Sequence, residues 1–423
     1  MTVRRWHHRL SRVAALGILL WASSGLIHPL LSVLGPRAAS FAPPAGVTAE
    51  LPRSAADHPP ADAVGMRGVR VGDAVLTQYW HDAPAPLVYR DKEGQTVPDA
   101  DEQHAIALAR HYAGRPDAAV VETAFVGEFS SDYAAVNRLL PVWRVRFAGD
   151  DALEVHVHTA EDRLGAISDD RRRRLLWVFQ TVHTLAPLEN WPGLRLPLIL
   201  VLVGGVLVMS LLGLRMAFAR GGRTPRRRLH RWGGVVLAAP LLMWSVSGLW
   251  HLIHLQQRGP AQDTQRPPLT RLAGAAVPAG AHRLISVQGD AVWQMADGHF
   301  RHAQGDTVSA ADVAQRIAGI NASNAMLVTG FSPTYAFANR RLPVWQLDAA
   351  DEPLRFVDLT SARVAAVVHP RDVAEQWSFS TLHKWSFANR LGRIARDGIM
   401  SAMAALAVVL ALVGLSLRRR RTT

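Results

Sequence analysis

The chain has 423 residues, 49% of them apolar and 19% charged, which is too apolar for an ordinary soluble protein. Its 47 Lys and Arg against 34 Asp and Glu give +13, but the excess sits in short runs beside apolar stretches: Arg171 to Arg174, Arg226 to Arg228 and Arg418 to Arg421. That placement suits membrane flanks and argues against a nucleic-acid surface. With no cysteine in the chain, disulfides, zinc-thiolate sites, iron–sulfur clusters and covalent c-type haem are excluded, so any metal is held by His, carboxylate or Met.

In chain order, four apolar runs approach the ~20 residues needed to cross a hydrocarbon layer: Val13 to Leu34, Leu194 to Ala219, Trp232 to Leu255 and Ile399 to Leu417. The first also has features of a cleaved signal peptide, with Arg4-Arg5 before it and Ala38-Ala39-Ser40 after it, but it is long for an h-region. The basic residues before the first run, in the 220–231 loop and in the 418–423 tail fall on one side, which places both termini in the cytoplasm. Two segments, 35–175 and 256–375, then lie outside, in the periplasm of a bacterial cell, and 176–219 and 376–417 each join an interfacial stretch to a span. Arg171 to Arg174 break the charge rule and read as the cationic edge of an interfacial helix. Within the outer segments, Asp99 to Tyr112 and Ser309 to Ile320 predict amphipathic helices. Ala119 to Val126, Val142 to Phe147, Leu153 to His158, Ala325 to Gly330, Val344 to Leu347 and Arg355 to Leu359 predict strands. The Pro- and Ala-rich stretch from Pro36 to Pro60 reads as a linker.

The halves repeat in order. Arg5 through Trp21, Ser24, Gly25, Leu26 and His28 match Arg228 through Trp244, Ser247, Gly248, Leu249 and His251 at a spacing of 223 residues. Tyr133-Ala-Ala-Val-Asn137-Arg138 with Leu140-Pro141-Val142-Trp143 matches the segment from Tyr335 to Trp345 at 202, and Trp177, Phe179, Thr181 and His183 match Trp377, Phe379, Thr381 and His383 at 200. Each half therefore reads as span, outer module, interfacial segment and span, and the two copies run parallel about an axis along the membrane normal.

Three of the matched pairs are histidines: His7 with His230, His28 with His251, and His183 with His383. A histidine in an apolar span is costly without a partner, which makes each a functional candidate. Trp21, Gly25 and His28 share a helix face, as do Trp244, Gly248 and His251, and a small residue one turn from a histidine leaves room for a flat macrocycle. His7 and His28 lie about 31 Å apart along a helix and face roughly alike, whereas His8 points away. Any one of these has a bland reading as a hydrogen-bonded residue at headgroup level. Recurrence of all three pairs favours bis-histidine haem over zinc or copper, since no HExxH or 2-His-1-carboxylate spacing appears, although His251 and His254 one turn apart offer half of such a site. His156 and His158 alternate on a strand and read as surface residues. A haem with two histidine ligands is saturated and passes electrons.

The His-Arg-Trp-Gly-Gly at His230 to Gly234, the Trp-x-x-Ser-Gly-Leu-x-His blocks ending at His28 and His251, and the elements at His183 and His383 resemble the PepSY-associated transmembrane family, which includes inner-membrane ferric-siderophore reductases and related iron-regulated membrane proteins. The resemblance covers nearly the whole chain; it departs at Trp6-His7-His8-Arg9-Leu10, where the first half lacks the His-Arg-Trp-Gly pattern. It implies a polytopic α-helical membrane protein whose four transmembrane helices arise by tandem duplication and which carries two periplasmic α+β PepSY-like modules. It implies b-type haem, two per chain, with axial candidates His7 and His230 on the cytoplasmic side and His28, His183, His251 and His383 on the periplasmic side. The implied partners are membrane lipid, a quinol or separate reductase as donor, and a ferric siderophore or other ferric chelate as acceptor. No nucleotide-binding GxGxxG and no catalytic triad is recognisable. A sensor or regulatory scaffold without redox activity is the competing reading, and Arg138, Arg340 and Arg341 mildly favour an anionic ligand outside.

Overall fold

The computed structural model describes residues 3–57, 59–130, 132–218, 224–257, 276–303, 305–336 and 341–419, and the chain divides into two compact units. Asn339, Arg340, Arg420 and Arg421 and parts of the 220–231 and 256–375 segments lie outside the described residues.

The first unit comprises residues 1–35, 171–259 and 371–423. Among the described residues, four helical stretches are long and apolar enough to cross a membrane: Val3–Leu34, Pro192–Ala217, Pro225–Gln257 and Arg393–Leu417. The first is two helices, α1 (Val3–Gly25) and α2 (Ile27–Leu34). Pro29 explains the break, because it has no N–H for the Gly25 carbonyl and its ring crowds that carbonyl. Leu26, between the two helices, keeps right-handed helical dihedrals, φ −65° and ψ −21°, so the run continues to Leu34. In the matching third span Leu252 takes the place of Pro29, and the helix runs unbroken past His251. Numbered in chain order after the α3 of the second unit, the remaining helices here are α4 (Asp170–His183), α5 (Pro192–Ala217), α6 (Pro225–Gln257), α8 (Pro370–Ser378) and α9 (Arg393–Arg419), with a π-helical turn at Phe379–His383. Small residues let the helices approach closely: a Cβ on Gly17 would lie 3.1 Å from the Leu202 carbonyl, and one on Gly205 2.9 Å from Val13.

The second unit comprises residues 36–170 and 260–370. Its first half holds β1 (Thr48–Ala49), β2 (Gly65–Val71), β3 (Ala74–Trp80), β4 (Val88–Arg90), α3 (Ala100–Ala113), β5 (Val120–Val126), β6 (Val142–Phe147), β7 (Glu154–His158) and β8 (Arg163–Ser168). Its second half holds β9 (Ala281–Val287), β10 (Asp290–Met295), β11 (Phe300–His302), β12 (Thr307–Val308), α7 (Ala310–Ala318), β13 (Asn324–Val328), β14 (Val344–Asp348), β15 (Leu354–Asp358) and β16 (Arg363–Val368). Two four-stranded antiparallel sheets, β5-β6-β7-β8 and β13-β14-β15-β16, have the same order. Each packs its own helix: Ala105, Leu108, Ala109 and Tyr112 of α3 on Val145, Val155 and Val157, and Ala314 and Ala318 of α7 on Leu347 and Val357. The Tyr133 hydroxyl donates to the Leu139 carbonyl at 3.0 Å, and the Tyr335 hydroxyl to the Arg341 carbonyl at 2.9 Å, so the same tether closes both loops.

Strands from both halves also form one larger sheet in the order β12-β11-β10-β9-β2-β3-β4, with β1 beside β2. At its centre β2 and β9 run antiparallel and set Arg67 opposite Arg283. Like charges in direct opposition repel, and both side chains are buried. The strain is relieved by acceptors. Arg67 donates to both Asp162 oxygens at 2.5 and 2.7 Å, to Gln78 Oε1 and to the Thr159 carbonyl, while Arg283 donates to the Thr360 carbonyl at 2.7 Å and covers Trp80.

Three expectations change. The stretch from Pro36 to Pro60 is packed, not a free linker: Val47, Leu51, Ala55 and Ala56 are buried, and Ala39 N–H donates to the Tyr112 carbonyl at 2.9 Å. His156 and His158 are 2% and 5% exposed. Their strand is interior, and while Val155 and Val157 meet α3 on one face, Tyr133 stacks on His156 at 4.7 Å on the other. Arg341 is no surface anion binder, since it is buried and pairs with Glu161 at 2.9 Å.

Replacing Arg67 by Met leaves Asp162 buried without its cation and should destabilise this unit by about 3–5 kcal/mol, read as lost amide-exchange protection in β2 and β9 of the intact chain. Burial alone would push the Asp162 carboxyl up, but the Arg67 guanidinium and His104 outweigh it and hold the carboxyl well below its usual range. Its contribution is therefore present above about pH 4 and is lost as pH falls below that. Arg70→Met, at an exposed position of β2, should stay within about 0.5 kcal/mol of the parent.

Candidate functional site

The six matched histidines gather at two ends of the helical unit. At the end bearing the N-terminus, a cavity of about 710 Å³ opens between α1, α5, α6 and α9, lined by His7, His230, Gly213, Gly234 and Gly414 among others. That volume lies within the ~300–1,000 Å³ of small-molecule and cofactor pockets. His7 and His230 come from different halves, and their ring centroids are 6.3 Å apart with planes at 86°. Two imidazoles sharing one metal at ~2.0 Å from each nitrogen place their centroids about 6 Å apart. Glycines make the room: a Cβ on Gly414 would stand 2.9 Å from His230 Cε1, and one on Gly213 4.0 Å from His7 Nε2. Arg4, Arg227 and Arg231 line the same cavity. His8, expected to point away, lines it too, with its ring 6.2 Å from that of His7.

At the opposite end stand His28, His183, His251 and His383. The Ser24 hydroxyl donates to the Leu20 carbonyl at 2.6 Å and lies 2.9 Å from His183 Nδ1. With its own proton committed, the serine oxygen accepts from Nδ1–H, and the lone pair of His183 is then on Nε2. The second half repeats this, Ser247 donating to the Met243 carbonyl at 2.7 Å and meeting His383 Nδ1 at 3.1 Å. The serine of each Trp-x-x-Ser-Gly-Leu-x-His block thus fixes the histidine of the later element in its own half. A ring held at one nitrogen with the other left as a lone pair is the arrangement that metal-ligating histidines have. Phe179 and Phe379 stack on His183 and His383 at 4.5 and 4.7 Å. The Trp21 indole donates to the His183 carbonyl at 2.9 Å, whereas Trp244 instead stacks on Trp385 at 5.5 Å.

His251 has a different partner. Its Nδ1 lies 2.6 Å from Glu375 Oε1, and one turn on His254 Nε2 lies 2.7 Å from Asp372 Oδ1. The signal for these carboxylates was a matched interval of three residues, His251 to His254 on α6 and Asp372 to Glu375 on α8, and only the fold brings the two intervals together. His28 packs against Phe179 at 6.2 Å. Among the described residues no group of three or more His, Asp or Glu converges as ligands of a single ion.

Burial pushes the His183 imidazole down to about 4, with His28 adding to the effect. Burial, and then His183, His251, Lys384 and His28, push His383 down to about 3. The four rings at this end therefore share one neighbourhood, and His183 and His383 are uncharged at neutral pH.

No protein-family model matches the chain, and no curated protein matches it.

In a histidine side-chain ¹⁵N titration of the purified protein, His183 and His383 should stay neutral down to pH 5. A midpoint near 6.5 for either ring would contradict its burial.

Proposed function

We propose that the chain is a b-type haem protein of the bacterial plasma membrane that carries electrons from the cytoplasmic side to ferric chelates in the periplasm, a ferric-siderophore reductase in type. The observation that carries the reading is the meeting of His7 and His230, 223 residues apart, across a glycine-lined cavity at a spacing suited to two axial ligands of one iron. A haem bound there would supply a one-electron couple, and His7 and His230 are the residues that would hold its iron. The residues do the rest. Gly213, Gly234 and Gly414 line the cavity without side chains to fill it, and Arg4 and Arg227 on its lining offer positive charge to carboxylates. A second haem would be held at the other end by a pair drawn from His28, His183, His251 and His383, whose rings are fixed by Ser24, Ser247 and Glu375.

The tandem duplication belongs to this reading. It is supported by the equal strand orders, the paired tyrosine tethers, the paired serine–histidine contacts and the pairing of β2 with β9. So does the topology: the basic flanks put both termini in the cytoplasm, and Trp177 and Trp377, equivalent and largely exposed at 65% and 59%, suit the aromatic belt of a bilayer interface. The β-rich unit is then the periplasmic part, formed by the two PepSY-like modules. A quinol or a separate reductase is the donor in this reading.

Purified protein should show a sharp b-type α-band on dithionite reduction, with two haems per chain by pyridine haemochrome. Gly414→Leu should remove one haem and His251→Ala should lower the count, while His156→Gln leaves it unchanged. A featureless spectrum after expression with ample haem would overturn the redox reading in favour of a sensor or scaffold.

A further inference from the structure

The two ends of the helical unit differ in what holds the second nitrogen of each histidine. At the cavity end, no carboxylate hydrogen bonds to His7 or His230 among the described residues. At the other end His183 and His383 meet neutral hydroxyls, and of the four matched histidines there, among the described residues, His251 is the one hydrogen bonded to a carboxylate, Glu375, at 2.6 Å. Glu375 is 7% exposed, so its charge is shielded by protein more than by water. The first half does not repeat the pair: at the spacing of 200 the residue matching Glu375 is Leu175, and the residue matching Asp372 is Arg172. At the spacing of 223, His28 matches His251 and Leu31 matches His254. The histidine is retained in both copies, and the carboxylate occurs in one.

A carboxylate accepting from Nδ1–H makes Nε2 a stronger electron donor. A stronger donor favours ferric over ferrous iron and lowers the reduction potential at that ligand. We propose that Glu375 is a positioning residue that, through His251 Nδ1, sets the outer electron-transfer site to a lower reduction potential than the site at His7 and His230. This rests on the haem reading above. The outer site is then the stronger reductant, which is what an acceptor as hard to reduce as an oxygen-ligated ferric chelate requires. Asp372 and His254, one turn away at 2.7 Å, tie α8 to α6 through a different histidine, and they supply a matched control.

The test is an optical redox titration of the full-length, haem-loaded protein, in which the two sites titrate as separate waves and the inner wave is the internal reference. Glu375→Gln, which keeps the shape and removes the charge, should raise the outer wave by about tenfold in its equilibrium constant, 59 mV for one electron, leaving the inner wave and the count of two haems unchanged. Asp372→Asn, which removes the half-buried carboxylate 2.7 Å from His254, should leave both waves in place. A Glu375→Gln protein with two haems and unshifted waves overturns the proposal, as does an equal shift in Asp372→Asn. If the glutamine variant loses the outer haem, Glu375→Asp decides: restored haem at the parent potential supports the proposal, and restored haem at a raised potential overturns it. Absence of haem from the parent protein is a different result and sinks the proposed function itself. A second readout needs no haem. In the apoprotein the His251 Nδ1–H resonance should lie far downfield and move upfield in Glu375→Gln, and an unmoved resonance also overturns the proposal.

Discussion

A buried imidazole has two nitrogens, and in an apolar helix bundle neither can be left to water. When one is committed to an acceptor, the tautomer and the ring plane are fixed, and the other nitrogen presents a lone pair in a set direction. The helical unit is organised around this constraint. Ser24 and Ser247 could donate to their rings only by giving up the Leu20 and Met243 carbonyls, so they accept instead. Each serine lies a turn before a histidine in sequence yet serves a different histidine, the one carried by the segment that follows the outer module. The π-helical turn at Phe379–His383 and the stacking of Phe379 between His251 and His383 at 4.4 and 4.7 Å complete the support on one side.

The β-rich unit meets the same problem with charge in place of imidazole. Arg67, Arg283, Arg163 and Arg341 lie near Asp162, Glu161 and Asp358 in its interior, joined by direct hydrogen bonds and by longer ion pairs such as Arg163 to Asp358 at 3.8 Å. Buried ion pairs add little net stability over a hydrophobic isostere, but deleting one partner is costly. What such a network does is fix one register: a one-residue slip of β2 on β9 would carry Arg67 to the other face, away from Asp162.

Much of this was legible in the sequence. The four apolar runs, the helices near Ala100 and Ala310 and six strands follow from periodicity, and the helical unit brings together His7 and His230 as well as the four outer histidines that the repeats single out. What was not legible depends on contacts between distant segments. The alternation of His and Val over residues 154–158 suggests one wet face, but Tyr133 covers it at His156 and Glu161 lies beside His158. The Pro- and Ala-rich stretch has the composition of a linker because it is fixed by backbone hydrogen bonds and a few small buried side chains, which composition does not record. Strands β2, β3, β9 and β10 carry polar residues such as Arg67, Gln78 and Arg283 at buried positions, which blurs the apolar pattern that marks strands elsewhere. The carboxylate partners of His251 and His254 lie more than a hundred residues away, so the matched three-residue intervals gain meaning only when α6 and α8 are brought together.

The seam between β2 and β9 has a further consequence. Antiparallel pairing between equivalent strands is what a two-fold axis would produce, and β2 and β9 pair in this way with Arg67 opposite Arg283. A chain of half this length would carry the same self-complementary edge and would join a second copy isologously, at an affinity set by concentration. Covalent linkage of two such halves removes the concentration dependence and, with it, the requirement that both sides stay identical. Arg67 faces a carboxylate and Arg283 a carbonyl and an indole. A symmetric pair of subunits could not have made that choice on one side alone.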